Sequence, residues 1–143
     1  MGKAKFKPYH KDSNTFISPE KTSRLGEHIL FSFRHVDFGN KEFQMPENKP
    51  EYFNEVVNRF QEVCKLTLNQ FRVECSKSLR CHAINWRTAT ERGFNNIPLE
   101  LKEAEDFQFS ISKVKYGRIH GVLLDNIFYI VWFDPYHKLS PQN

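Results

Sequence analysis

Five polar side chains near the carboxy-terminal end of the sequence have the chemistry to hold and cleave a phosphodiester. Arg118 offers a fixed positive charge whose geometry matches phosphate, and His120 and His137 can exchange protons near neutral pH. Tyr129 and Tyr136 add phenolic hydroxyls. A cation with two imidazoles suits general acid–base cleavage of RNA, which needs no metal ion or other cofactor, or binding of a phosphate-bearing ligand. The alternative is an ordinary solvated sheet face.

A β-hairpin is the element that would bring these side chains together. The pair Asp125-Asn126 suits its two-residue turn because both residues tolerate positive φ. The cross-strand partners predicted in this way are Leu124 and Ile127, Val122 and Tyr129, His120 and Val131, and Arg118 and Phe133. Because side chains alternate between faces, the predicted buried face consists of Ile119, Leu123, Phe128, Ile130 and Trp132. The opposite face would carry Arg118, His120, Tyr129 and Val131.

A second group of candidate residues lies in the irregular stretch 76–96, where basic and aromatic side chains are interleaved. Single-stranded nucleic acid is bound in this way, with cations on the phosphates and rings stacked on the bases. The alternative is a loop whose tryptophan fills the core and whose arginines are solvated. The predicted binding residues are Arg80, His82, Trp86 and Arg87, together with Tyr129 of the sheet face.

Two other stretches, 29–36 and 107–112, alternate between apolar and polar residues and are predicted to be strands. The side chains predicted to face the core are Ile29, Phe31 and Phe33 in the first and Phe107, Phe109 and Ile111 in the second. Between them, Pro50 suits the first position of a helix, and Thr67 with Gln70 predicts a capping box for a second one. The apolar stripe of the first helix is Phe53, Val56, Val57, Phe60, Val63 and Cys64. Residues 98–105 add one or two helical turns.

This order of elements predicts an α+β domain over residues 26–143, an antiparallel sheet with a helical hairpin on one face. It resembles the RelE/ParE/YoeB superfamily of small bacterial toxins, many of which cleave messenger RNA on the ribosome. Arg118 begins the penultimate strand, and Tyr136-His137 follows the last one. These positions in the fold are similar to those of the catalytic residues in YoeB-like toxins. The resemblance implies a RelE-like fold, a transition-state-stabilising Arg118, catalytic His137 and Tyr136, and an antitoxin partner. His120, on the same strand face, could cooperate.

The sequence also departs from that family. The two last catalytic residues occur here as Tyr then His, whereas YoeB has His then Tyr. The acidic general base of the family has no unique counterpart, and Glu103 and Glu105 are candidates by position only. The rival hypothesis is therefore a non-catalytic module that binds a protein or a nucleic acid, in phage defence or counter-defence. Because a fold does not carry its function with it, the site must decide.

Charge is distributed unevenly along the 143-residue chain, whose formal net charge is +4. Of 21 Lys and Arg and 17 Asp and Glu, residues 1–24 hold six and two, which leaves fifteen of each in the remainder. Residues 1–25 are polar and aperiodic, so we predict a flexible basic arm. Such an arm either adds salt-sensitive affinity for a polyanion or serves only as a soluble tail.

Several classes of function are disfavoured by the sequence. It has no GxSxG, P-loop, GxGxxG or HExxH motif, and its three cysteines lack a CxxC spacing, so no metal site is predicted. We predict no membrane segment, because no apolar run is long enough, and no secretory signal. A reducing, cytoplasmic location is the expectation, with RNA or the ribosome as partner.

Deletion of residues 1–24 should leave the melting temperature within roughly a few degrees of the full chain, because polar residues without periodicity bury little surface. If the domain binds nucleic acid, the same deletion should flatten the salt dependence of binding. Differential scanning calorimetry and binding titrations at several salt concentrations measure the two effects. Loss of cooperative unfolding would show that the arm is a structural element.

Overall fold

The fold is that of a computed structural model, which describes residues 28–75, 77, 79–112 and 115–141. The predicted arm, residues 1–25, lies outside the described residues. The elements in chain order are β1 (Leu30–Ser32), α1 (Pro50–Cys64), α2 (Leu68–Cys75), β2 (His82–Ala83), α3 (Leu99–Lys102), β3 (Glu105–Ser110), β4 (Arg118–Leu124) and β5 (Ile127–Asp134). Within the described part of the chain, no helix is long and apolar enough to cross a membrane.

The strands form one mixed sheet in the order β1-β5-β4-β3-β2. Strands β3, β4 and β5 make the predicted antiparallel meander. The prediction of a purely antiparallel sheet is wrong, because β1 lies parallel to β5 at one edge. Hairpin turns fix the direction of successive strands, whereas β1 joins the sheet through a long connection that leaves its direction open to either choice. The two-residue strand β2 at the other edge was not predicted.

The helical hairpin begins as the sequence indicates. Pro50 is the first residue of α1. The capping box of α2 is complete, since Thr67 N donates to Gln70 Oε1 over 2.9 Å and Gln70 N donates to Thr67 Oγ1 over 3.2 Å. These signals depend only on neighbours in the chain, which is why they could be read from the sequence.

The rotation of α1 differs from the predicted apolar stripe. Tyr52 is buried, whereas the side chains of Phe53 and Val57 are 57% and 46% exposed. Arg59, on the face predicted to be polar, donates from Nε to the carbonyl oxygen of Ile111 over 2.7 Å. This hydrogen bond to the sheet side of the molecule fixes the helix about its axis, and two apolar residues turn towards solvent as a result.

Both faces of the sheet are buried. The first face packs against α1 and α2 through a cluster that includes Ile29, Tyr52, Val56, Val63, Phe71, Phe107, Phe109, Ile111, Ile119, Leu123, Phe128, Ile130 and Phe133. The second face is covered by irregular segments through Phe43, Ile84, Phe94, Ile97, Leu101, Val122, Val131, Trp132 and Leu139. Phe33, predicted to face the core, is instead 58% exposed just after β1 ends.

The observed hairpin register differs from the predicted one because β5 contains a β-bulge. Leu124 pairs with Ile127 and Val122 with Tyr129, as predicted, but His120 then pairs with Trp132 and Arg118 with Asp134. Val131 is the additional residue on β5. Because a bulge reverses the alternation beyond it, Trp132 lies on the same face as Arg118, and its predicted place beside Ile119 is wrong. Its predicted burial is confirmed.

The bulge sits beside Gly121, where a side chain would not fit. A Cβ there would overlap Tyr129 O and meet the Phe128 ring at 2.7 Å. Gly121→Ala should therefore lower the free energy of unfolding by about 1–3 kcal/mol through overpacking. Gly93→Ala is the matched control, because a Cβ at Gly93 meets nothing within 4 Å, and it should change stability by about 0.5 kcal/mol or less. Urea denaturation of both variants tests this; equal effects would contradict the packing at the bulge.

Candidate active site

Three side chains from separate elements meet where β2 and β4 begin and β5 ends. Arg118 is the first residue of β4, His82 is the first residue of β2, and His137 lies in the turn after β5. The Arg118 guanidinium donates from Nε to His137 Nε2 and from Nη1 to His82 Nε2, each over 3.0 Å. We call these three residues the guanidinium–imidazole cluster. One cation and two imidazoles are thereby joined directly.

The hydrogen bonds define the protonation form of both imidazoles. A guanidinium can only donate, so the Nε2 atoms of His82 and His137 must carry lone pairs. On the other side of its ring, His82 Nδ1 lies 2.8 Å from the Ala83 carbonyl oxygen, to which it donates. The amide nitrogen of Gln108 lies 3.1 Å from His82 Nδ1 and 3.3 Å from His82 Nε2. In each ring, the Nε2 atom that faces Arg118 is therefore the accepting nitrogen.

Asp134 holds the turn that carries His137. Its Oδ1 accepts from the Lys138 amide over 2.7 Å, and its Oδ2 accepts from the Leu139 amide over 3.0 Å and from His120 Nε2 over 2.9 Å. Burial alone would raise the pKa of Asp134, but the hydrogen bonds from His120 and the two amides outweigh it and hold that pKa below its ordinary value. The carboxylate is therefore ionised and immobile.

The electrostatics of the site favour an anion. Burial lowers the pKa of the Arg118 guanidinium, the charge of Arg80 lowers it further, and Asp134 opposes both effects. Burial and the charge of Arg118 also lower the pKa of His137, which keeps its ring neutral at pH 7. Arg118 and His137 are half-buried and His82 is exposed, so a ligand can reach the cluster from solvent.

Unusual backbone conformations concentrate around the cluster. The φ angles of Arg80, Tyr116 and His137 are 46°, 70° and 59°, a region that costs a residue with a side chain about 1–3 kcal/mol. Gly117, at 65°, could not carry a side chain at all, because a Cβ would overlap Asp134 O. Such conformations persist only where the surrounding structure enforces them, and they are typical of functional sites.

Two buried polar atoms beside the cluster have no hydrogen-bond partner among the described residues. They are His120 Nδ1 and Gln108 Oε1, on residues directly opposite each other in β4 and β3. Each unsatisfied group costs about 1–3 kcal/mol, so a sheet face selected for stability alone would carry apolar residues here. The buried polar residues of this face are Gln108, Ser110, His120 and Asp134.

A disulfide that was not predicted from the sequence borders the site. Cys75 is bonded to Cys81, six positions later, and both are buried. Cys81 stands between Arg80, whose carbonyl oxygen lies 3.5 Å from Arg118 Nη1, and His82 of the cluster. The bond ties the start of β2 to the end of α2 and so fixes the approach of His82 to Arg118. Cys64 is a free, half-buried thiol.

The structure brings two of the predicted catalytic residues together and places the other two elsewhere. Arg118 and His137 are in contact, as described above, whereas His120 is fully buried and touches Asp134 rather than the solvent-facing cluster. Tyr136 is 58% exposed and its hydroxyl lies 3.1 Å from Lys49 Nζ, which donates to it. His120 therefore lies in the interior, where it can support the site through its hydrogen bond to Asp134.

The predicted binding residues do not form one surface either. Trp86 is held in the second core, with its ring 5.0 Å from that of Phe94 and its Nε1 donating to Asp106 Oδ2 over 2.8 Å. Arg87 is exposed, and Tyr129 is half-buried with its ring 5.8 Å from that of His35. Among the predicted binding residues, only His82, and Arg80 through its carbonyl, reach Arg118.

The acidic candidates lie elsewhere. Glu105 pairs with Arg72 over 3.0 Å and begins β3, at the opposite end from Ser110, the cross-strand partner of Arg118. Glu103 follows α3. Gln108, by contrast, neighbours His82 but was not among the predicted site residues. A signal was available, since Gln108 occupies a polar position in the alternation of β3.

Comparison of the chain with protein-family models, with curated proteins and with solved structures finds no match. The resemblance to the RelE/ParE/YoeB superfamily therefore stays a hypothesis, and function must be argued from the site itself.

The buried His120–Asp134 pair predicts how stability depends on pH. Burial lowers the pKa of His120 below its ordinary value of 6.5, although Asp134 opposes this. The unfolded chain therefore binds more protons than the native one just below that pH, and the free energy of unfolding should fall between about pH 7 and pH 5. His137 contributes with the same sign.

Chemical denaturation at several pH values measures this slope. His120→Gln keeps an amide donor for Asp134 but removes the titration, so its slope should be shallower than that of the wild type. His137→Gln is the parallel variant for the half-buried ring. A wild-type stability that rises towards pH 5 would show that His120 is protonated in the native state.

Proposed function

We propose that this chain is a metal-independent endoribonuclease that cleaves RNA by general acid–base catalysis. The observation that carries the proposal is the guanidinium–imidazole cluster, in which Arg118 lies 3.0 Å from a nitrogen of His137 and of His82. Cleavage through the 2′-hydroxyl needs one base, one acid and one cation on the phosphate, and the cluster supplies this set.

The residues take distinct roles in this proposal. His137, whose pKa is lowered by burial and by Arg118, accepts the proton of the 2′-hydroxyl. The 2′-oxygen attacks phosphorus, the bond from phosphorus to the 5′-oxygen breaks, and protonated His82 donates a proton to that leaving oxygen. Arg118 holds the non-bridging oxygens with two parallel hydrogen bonds. The products are a 2′,3′-cyclic phosphate and a 5′-hydroxyl.

The biological setting that we propose is that of a toxin with a RelE-like fold, restrained by an antitoxin and acting in the bacterial cytoplasm on RNA or the ribosome. Persistent disulfides are rare in that compartment, so Cys75 and Cys81 would exist there as thiols for part of the time. An assay with and without reductant therefore belongs to any activity measurement.

The second candidate is a module that binds a protein partner without catalysis, in phage defence or counter-defence. It is favoured by an apolar patch on α1, where Phe53 and Val57 are about half exposed next to Phe60, whose ring lies 6.1 Å from the exposed ring of Phe33. Contiguous apolar surface of this kind is typical of interaction sites. An antitoxin would also use such a patch, so an assay of cleavage decides between the candidates.

Expression of the wild type in a bacterium should arrest growth, and Arg118→Ala and His137→Ala should each relieve the arrest. Each purified variant should cleave labelled RNA at least about a hundredfold more slowly, because it lacks a charge or proton-transfer contribution of that size. The double variant should be little worse than either single one, since the residues act together.

Arg34→Ala and His35→Asn are matched controls outside the cluster and should leave cleavage intact. Circular dichroism verifies that every variant is folded. Full activity in folded Arg118→Ala and His137→Ala would remove the cluster from the reaction. An inactive wild type, with ribosomes present and with and without reductant, would favour the binding module.

A further inference from the structure

A groove opens beside the guanidinium–imidazole cluster, between the start of α1 and the segments that lead into β4 and out of β5. Its walls include Lys49, Tyr52, Lys115, Tyr116 and Tyr136. Tyr116 is separated from Arg118 by one residue, and Tyr136 directly precedes His137. We call this the tyrosine–lysine groove. Two of its walls therefore adjoin residues of the cluster along the chain.

We infer that the tyrosine–lysine groove binds the nucleotide that flanks the scissile phosphate in single-stranded RNA. The base stacks on the ring of Tyr136, and the next phosphate along the strand lies between Lys49 and Lys115. The inference rests on the proposed ribonuclease activity and deepens it, because it names the form of the substrate and the direction in which the strand leaves the cluster.

Charge selects this groove over its neighbour. A second groove shares Tyr136 with the first and has His137 in its own wall, but it is also lined by Glu42 and Glu91. Its one lysine, Lys138, is already paired with Glu42 over 2.9 Å. The tyrosine–lysine groove has Lys49 and Lys115 against Glu51. A polyanion is therefore attracted to Lys49 and Lys115 and repelled from the acidic wall of the second groove.

The aromatic side chains of the groove are arranged for stacking. Tyr136 is 58% exposed, and Lys49 Nζ lies 5.2 Å from its ring centroid and 3.1 Å from its hydroxyl. Tyr116, half-buried, leans on Tyr52 with ring centroids 6.2 Å apart. Exposed rings next to cations are how proteins hold unpaired bases.

Tyr52 adds a buried polar group to the floor of the groove. Its side chain is 2% exposed, and its hydroxyl has no hydrogen-bond partner among the described residues. Burial, with a contribution from Asp134, raises the pKa of Tyr52, so the hydroxyl keeps its proton.

A duplex cannot present an unstacked base to Tyr136, which restricts the proposed substrate to single strands and loops.

The test compares two substrates that differ in the next phosphate. A dinucleotide contains the scissile phosphate only, whereas a hexanucleotide also reaches Lys49 and Lys115. Lys49→Ala/Lys115→Ala should lower kcat/KM about tenfold on the hexanucleotide and leave the dinucleotide within about twofold. Lys65→Ala/Lys102→Ala removes the same charge from exposed positions elsewhere and should affect neither substrate.

The ring of Tyr136 is tested separately. Tyr136→Ala should lower kcat/KM about tenfold on both substrates, and Tyr136→Phe, which keeps the stacking surface, should recover most of that loss. Binding of a fluorescent 2′-O-methyl hexanucleotide, which cannot be cleaved, gives a readout that does not need activity. In the lysine variant, the slope of its binding against salt should fall by about 0.7 for each phosphate that is no longer neutralised.

The outcomes separate this inference from the proposed function. If the wild type cleaves RNA while the Lys49/Lys115 variant matches the Lys65/Lys102 control in both assays, that result overturns the proposed binding in the groove and leaves the proposed ribonuclease activity intact. A stronger effect of Lys138→Ala than of the Lys49/Lys115 change shows that the strand leaves through the acidic groove, which also overturns it. An inactive wild type whose oligonucleotide binding still depends on Lys49, Lys115 and Tyr136 overturns the ribonuclease alone. Equal competition by a duplex contradicts the single-strand requirement.

Discussion

The buried carboxylate of Asp134 is the constraint on which the site depends. Removing a charge from water costs several kcal/mol, and that cost is offset only if hydrogen bonds satisfy the group fully. Asp134 accepts from His120 and from the amides of Lys138 and Leu139, all within 3.0 Å. These bonds fix the turn after β5, and the turn holds His137 at a φ of 59° against Arg118. A protein that needed only a stable turn would not place a charge–imidazole pair inside its second core.

The β-bulge at Val131 is what brings Asp134 into that position. If Val131 were paired with His120 in a regular ladder, Arg118 would lie opposite Phe133, and the carboxylate would point to the apolar face packed by α1 and α2. With the bulge, Arg118, His120 and Asp134 share the second face with Gln108 and, in the next strand, His82. Irregular segments cover this face, and their loops leave an opening at the strand ends. The buried polar residues of the second face and the accessible cluster are thus both consequences of the β-bulge at Val131.

Sequence reasoning succeeded where the determinants are local. The turn at Asp125-Asn126, the capping box of Thr67 and Gln70, and the inward alternation of Phe107, Phe109 and Ile111 depend on a few neighbouring residues. It failed where a distant contact decides. The hairpin sequence contains no signal for an extra residue at Val131. A one-residue change of register moves every side chain beyond the bulge to the opposite face. The rotation of α1 depends on Arg59 reaching the backbone of Ile111, and the direction of β1 depends on a long connection. His82 meets Arg118 because a disulfide and a two-residue edge strand position it. Arg118, His82 and His137 could therefore be named as candidates from their residue types, whereas the contact between His82 and Arg118 could not be predicted.

The resting cluster is satisfied by bonds that a phosphate can replace. Arg118 donates to two imidazole nitrogens, whereas a phosphate would bring an opposite charge and could accept two parallel hydrogen bonds from the guanidinium. In the proposed reaction, a phosphodiester would draw the guanidinium to itself and release the lone pairs of His82 and His137 when the substrate is in place. The arriving negative charge would also favour the protonated form of an imidazole beside it. Binding would thus convert a self-paired cluster into an acid, a base and a cation, and the buried Asp134 would hold the geometry through the change.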